Sequence, residues 1–293
     1  MVLNEAGPAG PPRFTIGGVI ATSCVVLFSN VSRFLPIFLA IAVPAGGLLM
    51  LGGFAFAMLG DAVGVSFDFM MWLTDPATLL MIAYGVVVFV IGYALVLGAV
   101  THGALQALRG EPVGIGAALG QAFSALPRLF VAVLIFSVML GLIVSSMGWV
   151  AFRAMLRLDT DGDASGIAWL IVAVVAALVL MALVLVVTWV FVPVVMVERA
   201  GPIECFRRSL ALTKGRRWSV FALVVLTALA NWLLSAITEV IQGLGVEIAG
   251  ELLDFAFTSF LVVLSAVLSA VGYARFRGEK EGVVGEDVVK VFD

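Results

Sequence analysis

A chain of 293 residues that is 63% hydrophobic and only 12% charged, with a formal net charge of −3 and a mean hydropathy of +1.21, lies far outside the soluble range of about half apolar and a quarter charged residues. A soluble core cannot absorb that much apolar surface, so a globular enzyme of ordinary composition is excluded. The chemistry-bearing residue types are scarce as well, with one histidine and two cysteines.

Residues 1–13 form a Pro/Gly-rich segment that is expected to be disordered. It carries one acid and a late Arg13 rather than a short basic start, so no cleavable signal peptide is expected. Phe14 to Ser32 follows without a charge and is long enough to span. Its polar residues Thr22, Ser23, Ser29, Asn30 and Ser32, set against Ile16, Ile20, Leu27 and Val31, favour a helix lying at the interface, and a seven-span arrangement is the alternative.

Six long apolar stretches come next: Phe34 to Leu59, Leu79 to Thr101, Leu129 to Ala151, Ile167 to Val197, Ser219 to Ile241 and Phe255 to Ala274. Each reaches the roughly 20 residues a helix needs to cross about 30 Å of hydrocarbon. The fourth, at 31 residues, is too long for an upright crossing, and Pro193 near its end predicts an interruption there.

The gaps between these stretches set the orientation. Fourteen of the sixteen Lys and Arg residues fall in alternate gaps. Arg13 and Arg33 precede the first span, Arg109 and Arg128 occupy the second gap, and Arg199, Arg207, Arg208, Lys214, Arg216 and Arg217 the fourth. Arg275, Arg277, Lys280 and Lys290 follow the last span. The other gaps carry Asp61, Asp68 and Asp75, then Asp159, Asp161 and Asp163 beside Arg153 and Arg157, then Glu247, Glu251 and Asp254. By the positive-inside rule the basic gaps and both termini face the cytosol. The expected fold class is therefore an all-α polytopic membrane protein, with a membrane domain over 14–276 and a cytosolic tail over 277–293.

An internal repeat is superimposed on the spans. Ile16 to Ser32 leads to Arg33-Phe34, Ile115 to Leu126 leads to Arg128-Leu129-Phe130, and Ile203 to Thr213 leads to Arg216-Arg217-Trp218. Arg33, Arg128 and Arg216 recur at intervals of 95 and 88 residues, which predicts three units of an interfacial amphipathic helix followed by a transmembrane hairpin.

The third unit is the most specific. Gly201-Pro202 suits a helix start and Gly215 a helix stop, Glu204 and Arg208 are spaced to pair, and Ile203, Phe206 and Leu210 make an apolar stripe. From Glu198 to Trp218 six basic and two acidic residues leave a net +4. Each basic group near an anionic leaflet contributes about 1 kcal/mol, so Arg199, Arg207, Arg208, Lys214, Arg216 and Arg217 are the candidate contacts to lipid headgroups. A purely topogenic role is the plainer alternative.

The run Val197-Glu198-Arg199-Ala200-Gly201-Pro202-Ile203, continued by Leu212-Thr213-Lys214-Gly215-Arg216-Arg217-Trp218, resembles the membrane domain attached to some bacterial glycerophosphoryl diester phosphodiesterases and its free-standing relatives. Leu108-Arg109-Gly110-Glu111-Pro112-Val113 adds weaker support. The resemblance implies a bacterial inner-membrane protein. It brings no catalytic residue, because the soluble phosphodiesterase domain is missing from this sequence.

Other chemistry is thin. His102 reads as a polar tip at a span end. Cys24 and Cys205 lie in separate segments expected to face a reducing compartment, which argues against a disulfide. Asp159-Thr160-Asp161-Gly162-Asp163 offers oxygen ligands, but Ala164 and Leu170 stand where a calcium loop wants Gly and Glu. Ionisable groups are nearly absent from the spans, Glu239 being the closest, which argues against an ion-coupled transporter. Thr227, Asn231 and Ser235 read as interhelical hydrogen-bonding groups. Small residues supply packing faces, with Gly85, Gly92 and Ala99 at seven-residue intervals and Ser265, Ser269 and Gly272 on the last span.

The expectation is a non-catalytic membrane module, without cofactor or metal, that organises anionic lipids or partner proteins. A homo-oligomer is the other partner arrangement this reading admits, and no nucleic acid is expected. A transporter or channel for an apolar or lipidic substrate is the alternative.

Overall fold

The computed structural model describes residues 14–63, 76–161 and 165–281. The expected disordered segment 1–13, the chain beyond Glu281 with Lys290, and Asp68, Asp75 and Asp163 lie outside these residues, as do the side chains of Asp61, Asp159 and Asp161. Among the described residues there are nine helices and no strand: α1 (Ile16–Ser29), α2 (Val31–Val63), α3 (Pro76–Leu108), α4 (Ile115–Asp161), α5 (Ser165–Thr188), α6 (Phe191–Glu198), α7 (Pro202–Thr213), α8 (Arg217–Gly243) and α9 (Glu247–Glu281).

Six stretches are long and apolar enough to cross a membrane: Val31–Met58, Pro76–Leu108, Ile115–Ala154, Ile167–Glu198, Arg217–Gly243 and Ile248–Glu281. They match the six expected spans one for one, and the chain is an all-α multi-pass membrane protein. Large apolar side chains such as Met50, Leu80, Leu142, Leu180 and Val240 are exposed along them. In water so broad an apolar surface would drive aggregation, whereas in a bilayer it is the lipid contact.

The long helices form three hairpins with their sequence neighbours, α2 with α3, α4 with α5 and α8 with α9, and α3 also packs against α4 and α9. The buried core is concentrated toward the basic end, in Val90–Leu105, Ala118–Val133, Val186–Ala200 and Val263–Phe276. The glycine seam on α3 is internal to the bundle. A Cβ on Gly92 would stand 3.0 Å from the Ala45 Cβ of α2, one on Gly103 would meet Phe34, and Ala99 is fully buried. Backbones of α2 and α3 approach closely because nothing larger intervenes.

The amphipathic segments behave in two different ways. Helix α1 is separate, capped by Thr15 whose Oγ1 accepts from the Gly18 N–H. Its 14 residues extend only about 21 Å, too short to cross. Phe14 stacks on Phe276 at 4.3 Å and Arg275 donates to the Gly18 carbonyl and Thr22 Oγ1, which fastens α1 against the end of α9. Helix α7 is also separate, ended by Lys214 and by Gly215 at φ +90°. The middle segment differs from expectation, because Ile115 to Leu126 runs without a break into its span as one 47-residue helix. No Gly or Asn stands at its junction, only Pro127, and a lone proline removes a single backbone bond and bends a helix more readily than it ends one.

The fourth span is broken, as its length and Pro193 predict. The break falls at Trp189–Val190, one turn ahead of the proline. The pyrrolidine ring conflicts with the carbonyl four residues earlier, which belongs to Trp189, and the missing N–H leaves that carbonyl without its helical partner. Pro193 itself sits comfortably in the first turn of α6.

Candidate functional site

Two features meet where the fourth span breaks: a basic surface built on α7, and a cavity inside the bundle.

Helix α7 has a narrow inward stripe. Cys205, Ser209 and Leu212, at i, i+4 and i+7, are buried together with Thr213. Ser209 Oγ donates to the Val187 carbonyl at 2.6 Å and accepts from the Val190 N–H, so a side chain of α7 satisfies backbone groups freed by the break. Ser269 of α9 does the same for the Trp189 carbonyl at 2.7 Å. Broken helices survive inside a bilayer only when neighbours supply such partners. Burial pushes the Cys205 thiol up to about 12, against smaller opposing effects of the local backbone N–H groups.

The opposite stripe faces outward. Ile203, Arg207, Leu210 and Lys214, at i, i+4, i+7 and i+11, are all exposed, Ile203 to 78%. Arg217 and Trp218 continue this exposed surface, Trp218 at 84%. Phe206, expected on the same apolar stripe, is instead half-buried and stacks on Phe191 of α6.

The six candidate basic residues divide into two sets. Arg208 turns inward: its Nε is 2.9 Å from Glu198, and its guanidinium also meets Glu281. Burial works against this cation, yet the hydrogen bonds and charges of Glu198 and Glu281 outweigh it and raise its pKa. Arg216 pairs with Glu279. Expecting these two to reach lipid overlooked the acids that capture them. Arg199, Arg207, Lys214 and Arg217 are exposed, and their side chains make no ion pair among the described residues. Arg199 occupies the left-handed turn at φ +52° that swings the chain from α6 into α7.

Two of the captors, Glu279 and Glu281, come from the end of α9, which continues as helix past the expected domain boundary at residue 276. Glu198 also accepts from Tyr273 at 2.9 Å, and Arg277 holds Glu281 at 2.8 Å. Lys280 Nζ donates to the carbonyls of Ala211 and Lys214, a cation at a helix C-terminus that both caps it and suits its dipole. The i,i+4 spacing of Arg277 and Glu281 was the sequence signal that this stretch stays helical.

The cavity has a volume of about 380 Å³ and is walled by α3, α4, α5, α6, α8 and α9. Trp189, Phe191 and Val192 bring the broken span into its wall, and Ser269 closes it beside them. Asn231 and Thr227 of α8, expected as interhelical bridges, line it too. Thr227 Oγ1 bonds only within its own helix, to the Leu223 and Val224 carbonyls. His102 lies apart, in a small hollow with Leu105, Gln106, Arg109, Met196 and Val197.

The sequence profile of the family described as Domain of unknown function (DUF7847) matches residues 39–276. The chain belongs to this family. The DUF7847 match takes in every wall of the cavity and the whole of Glu198 to Trp218, and it stops just before Glu279, Lys280 and Glu281 at the end of α9. It brings no link to glycerophosphoryl diester phosphodiesterases. No curated protein and no solved structure matches the chain.

Proposed function

We propose that this DUF7847 protein is a non-catalytic membrane module whose basic end recognises anionic lipid headgroups and so organises lipid around it. One observation carries the reading. Arg199, Arg207, Lys214 and Arg217 are left without ion-pair partners among the described residues, next to the exposed apolar groups Ile203, Leu210 and Trp218. Cations beside apolar side chains on a short helix suit a leaflet surface, where the apolar groups sink into the acyl boundary and the cations meet phosphate.

The two paired arginines support this reading by their different use. Arg208 and Arg216 hold α7 in place through Glu198, Glu281 and Glu279, so the remaining four cations are displayed from a fixed support and need little ordering on binding. The positive-inside pattern supports a cytosolic side for this end, and the motif resemblance fits a bacterial inner membrane.

The detergent-solubilised full chain should be stabilised against heat more by dihexanoyl phosphatidylglycerol than by dihexanoyl phosphatidylcholine, because a ligand that binds the folded state raises its stability. Added salt should shrink the difference, since exposed charges are screened over about 8 Å at physiological ionic strength. Equal stabilisation by both lipids would remove the proposal.

A further inference from the structure

We infer that the cavity beside the broken span is a binding site for an uncharged lipid bearing hydroxyl or carbonyl oxygens, independent of the anionic headgroup surface. Thr101 supplies the first argument. It is fully buried, lines the cavity, and its hydroxyl has no hydrogen-bond partner among the described residues. Three other hydroxyls of the lining are satisfied by the protein: Thr188 bonds the Val184 carbonyl at 2.6 Å, Ser265 the Val262 carbonyl at 2.8 Å and Ser269 the Trp189 carbonyl. A threonine in a helix can always turn its hydroxyl back to its own backbone, and Thr101 does not. An orphaned buried hydroxyl costs about 1–3 kcal/mol, which a ligand oxygen would recover.

Asn231 is the second argument. It lines the same cavity and its side chain makes no hydrogen bond among the described residues. Counted from Arg217, it lies about 21 Å along α8, within the hydrocarbon depth, where an unsatisfied carboxamide is costly. With Ala228 and Thr258 it forms the exposed part of the lining, while Thr101, Thr188 and Ser269 are buried at the inner end. Leu229 and Phe255, exposed on the same two helices, are apolar, so α8 and α9 run among acyl chains at this depth.

The chemistry of the lining selects the class. None of the cavity residues is Asp, Glu, Lys, Arg or His, and an unpaired charge would be strongly disfavoured there. The volume falls at the lower end of ligand pockets, about 300–1,000 Å³. An uncharged head that offers oxygen to Thr101 and Asn231, with its chain leaving through the mouth, meets each constraint.

The test is photo-crosslinking of the purified full chain in detergent with a diazirine-bearing dioctanoylglycerol. Adducts should map to α3, α8 and α9, and unlabelled dioctanoylglycerol should compete while octanoate and dihexanoyl phosphatidylglycerol should not. Thr101→Val keeps the side-chain shape and removes the hydroxyl. It should weaken binding roughly fivefold to tenfold, the loss of one neutral hydrogen bond in a dry site, and Thr101→Ser should restore it. Ala228→Phe, at the exposed mouth, should block labelling without touching the buried core. Equal competition by the charged amphiphiles, adducts scattered over the outer surface, or unchanged affinity in both Thr101→Val and Ala228→Phe would each overturn the assignment.

Discussion

Replacing Ser269 by alanine isolates the physics of the broken span. The Ser269 hydroxyl donates to the Trp189 carbonyl at 2.7 Å, and the residue is 8% exposed. That carbonyl is available because residue 193 is a proline with no N–H to offer it. Interhelical hydrogen bonds inside membranes contribute on average about 0.6 and at most about 1.7 kcal/mol, while a buried carbonyl left bare costs about 1–3 kcal/mol. Ser269→Ala should therefore destabilise the fold by about 1–2 kcal/mol. In a Pro193→Ala background the backbone N–H regained at position 193 can bond the Trp189 carbonyl, and the same Ser269→Ala change should cost less than about 0.5 kcal/mol. The assay is unfolding by SDS in mixed micelles, followed by far-UV ellipticity, over the four variants of the cycle. A cost for Ser269→Ala that is the same with proline and with alanine at 193 would refute the reasoning, since Pro193 would then have no part in freeing the carbonyl.

Three further outcomes are expected. Gly272→Ala should destabilise by about 1–3 kcal/mol in the same assay, because its Cβ would clash with the edge of the Trp189 indole; Gly53→Ala, with open space around it, should be neutral or slightly stabilising. In a Cys24→Ser background, folded protein should resist N-ethylmaleimide at pH 7.5 and react once unfolded in SDS. The thiolate is the nucleophile and burial holds the Cys205 thiol at about 12. Since the fold favours the neutral thiol, this contribution to stability is fully present at neutral pH and is lost as pH rises from the ordinary thiol range toward 12. In a cysteine-free background, cysteines placed at Asn4 and Ser66 should label from the cytosolic and external sides respectively; labelling of position 4 from outside would support seven spans.

Span number and element type were legible because hydropathy and the alternation of Arg and Asp are collective signals that no single contact can override. The break in the fourth span was legible in kind, from Pro193 and excess length, while its position one turn upstream follows from the i−4 geometry of proline. The fusion of Ile115–Leu126 with its span was not foreseen, since a basic amphipathic run looks the same whether or not a turn follows it. The positions of Arg207 and Lys214 were readable from helical spacing alone. The capture of Arg208 and Arg216 was not, because Glu281 and Glu279 approach them from more than sixty residues away. The cavity was equally hidden: Thr101 and Asn231 are ordinary polar residues in sequence, and only packing shows which of them lack a partner.

The lipid shell retained by the full chain in native nanodiscs tests the central claim most directly. From membranes containing phosphatidylglycerol and a zwitterionic lipid, the protein should retain a shell enriched in phosphatidylglycerol over bulk. Changing Arg199, Arg207, Lys214 and Arg217 together to glutamine should return the shell to bulk composition, whereas Arg208→Gln should lower stability and leave the enrichment in place. A shell of bulk composition around the unmodified chain, or enrichment that survives loss of all four exposed cations, would contradict the account.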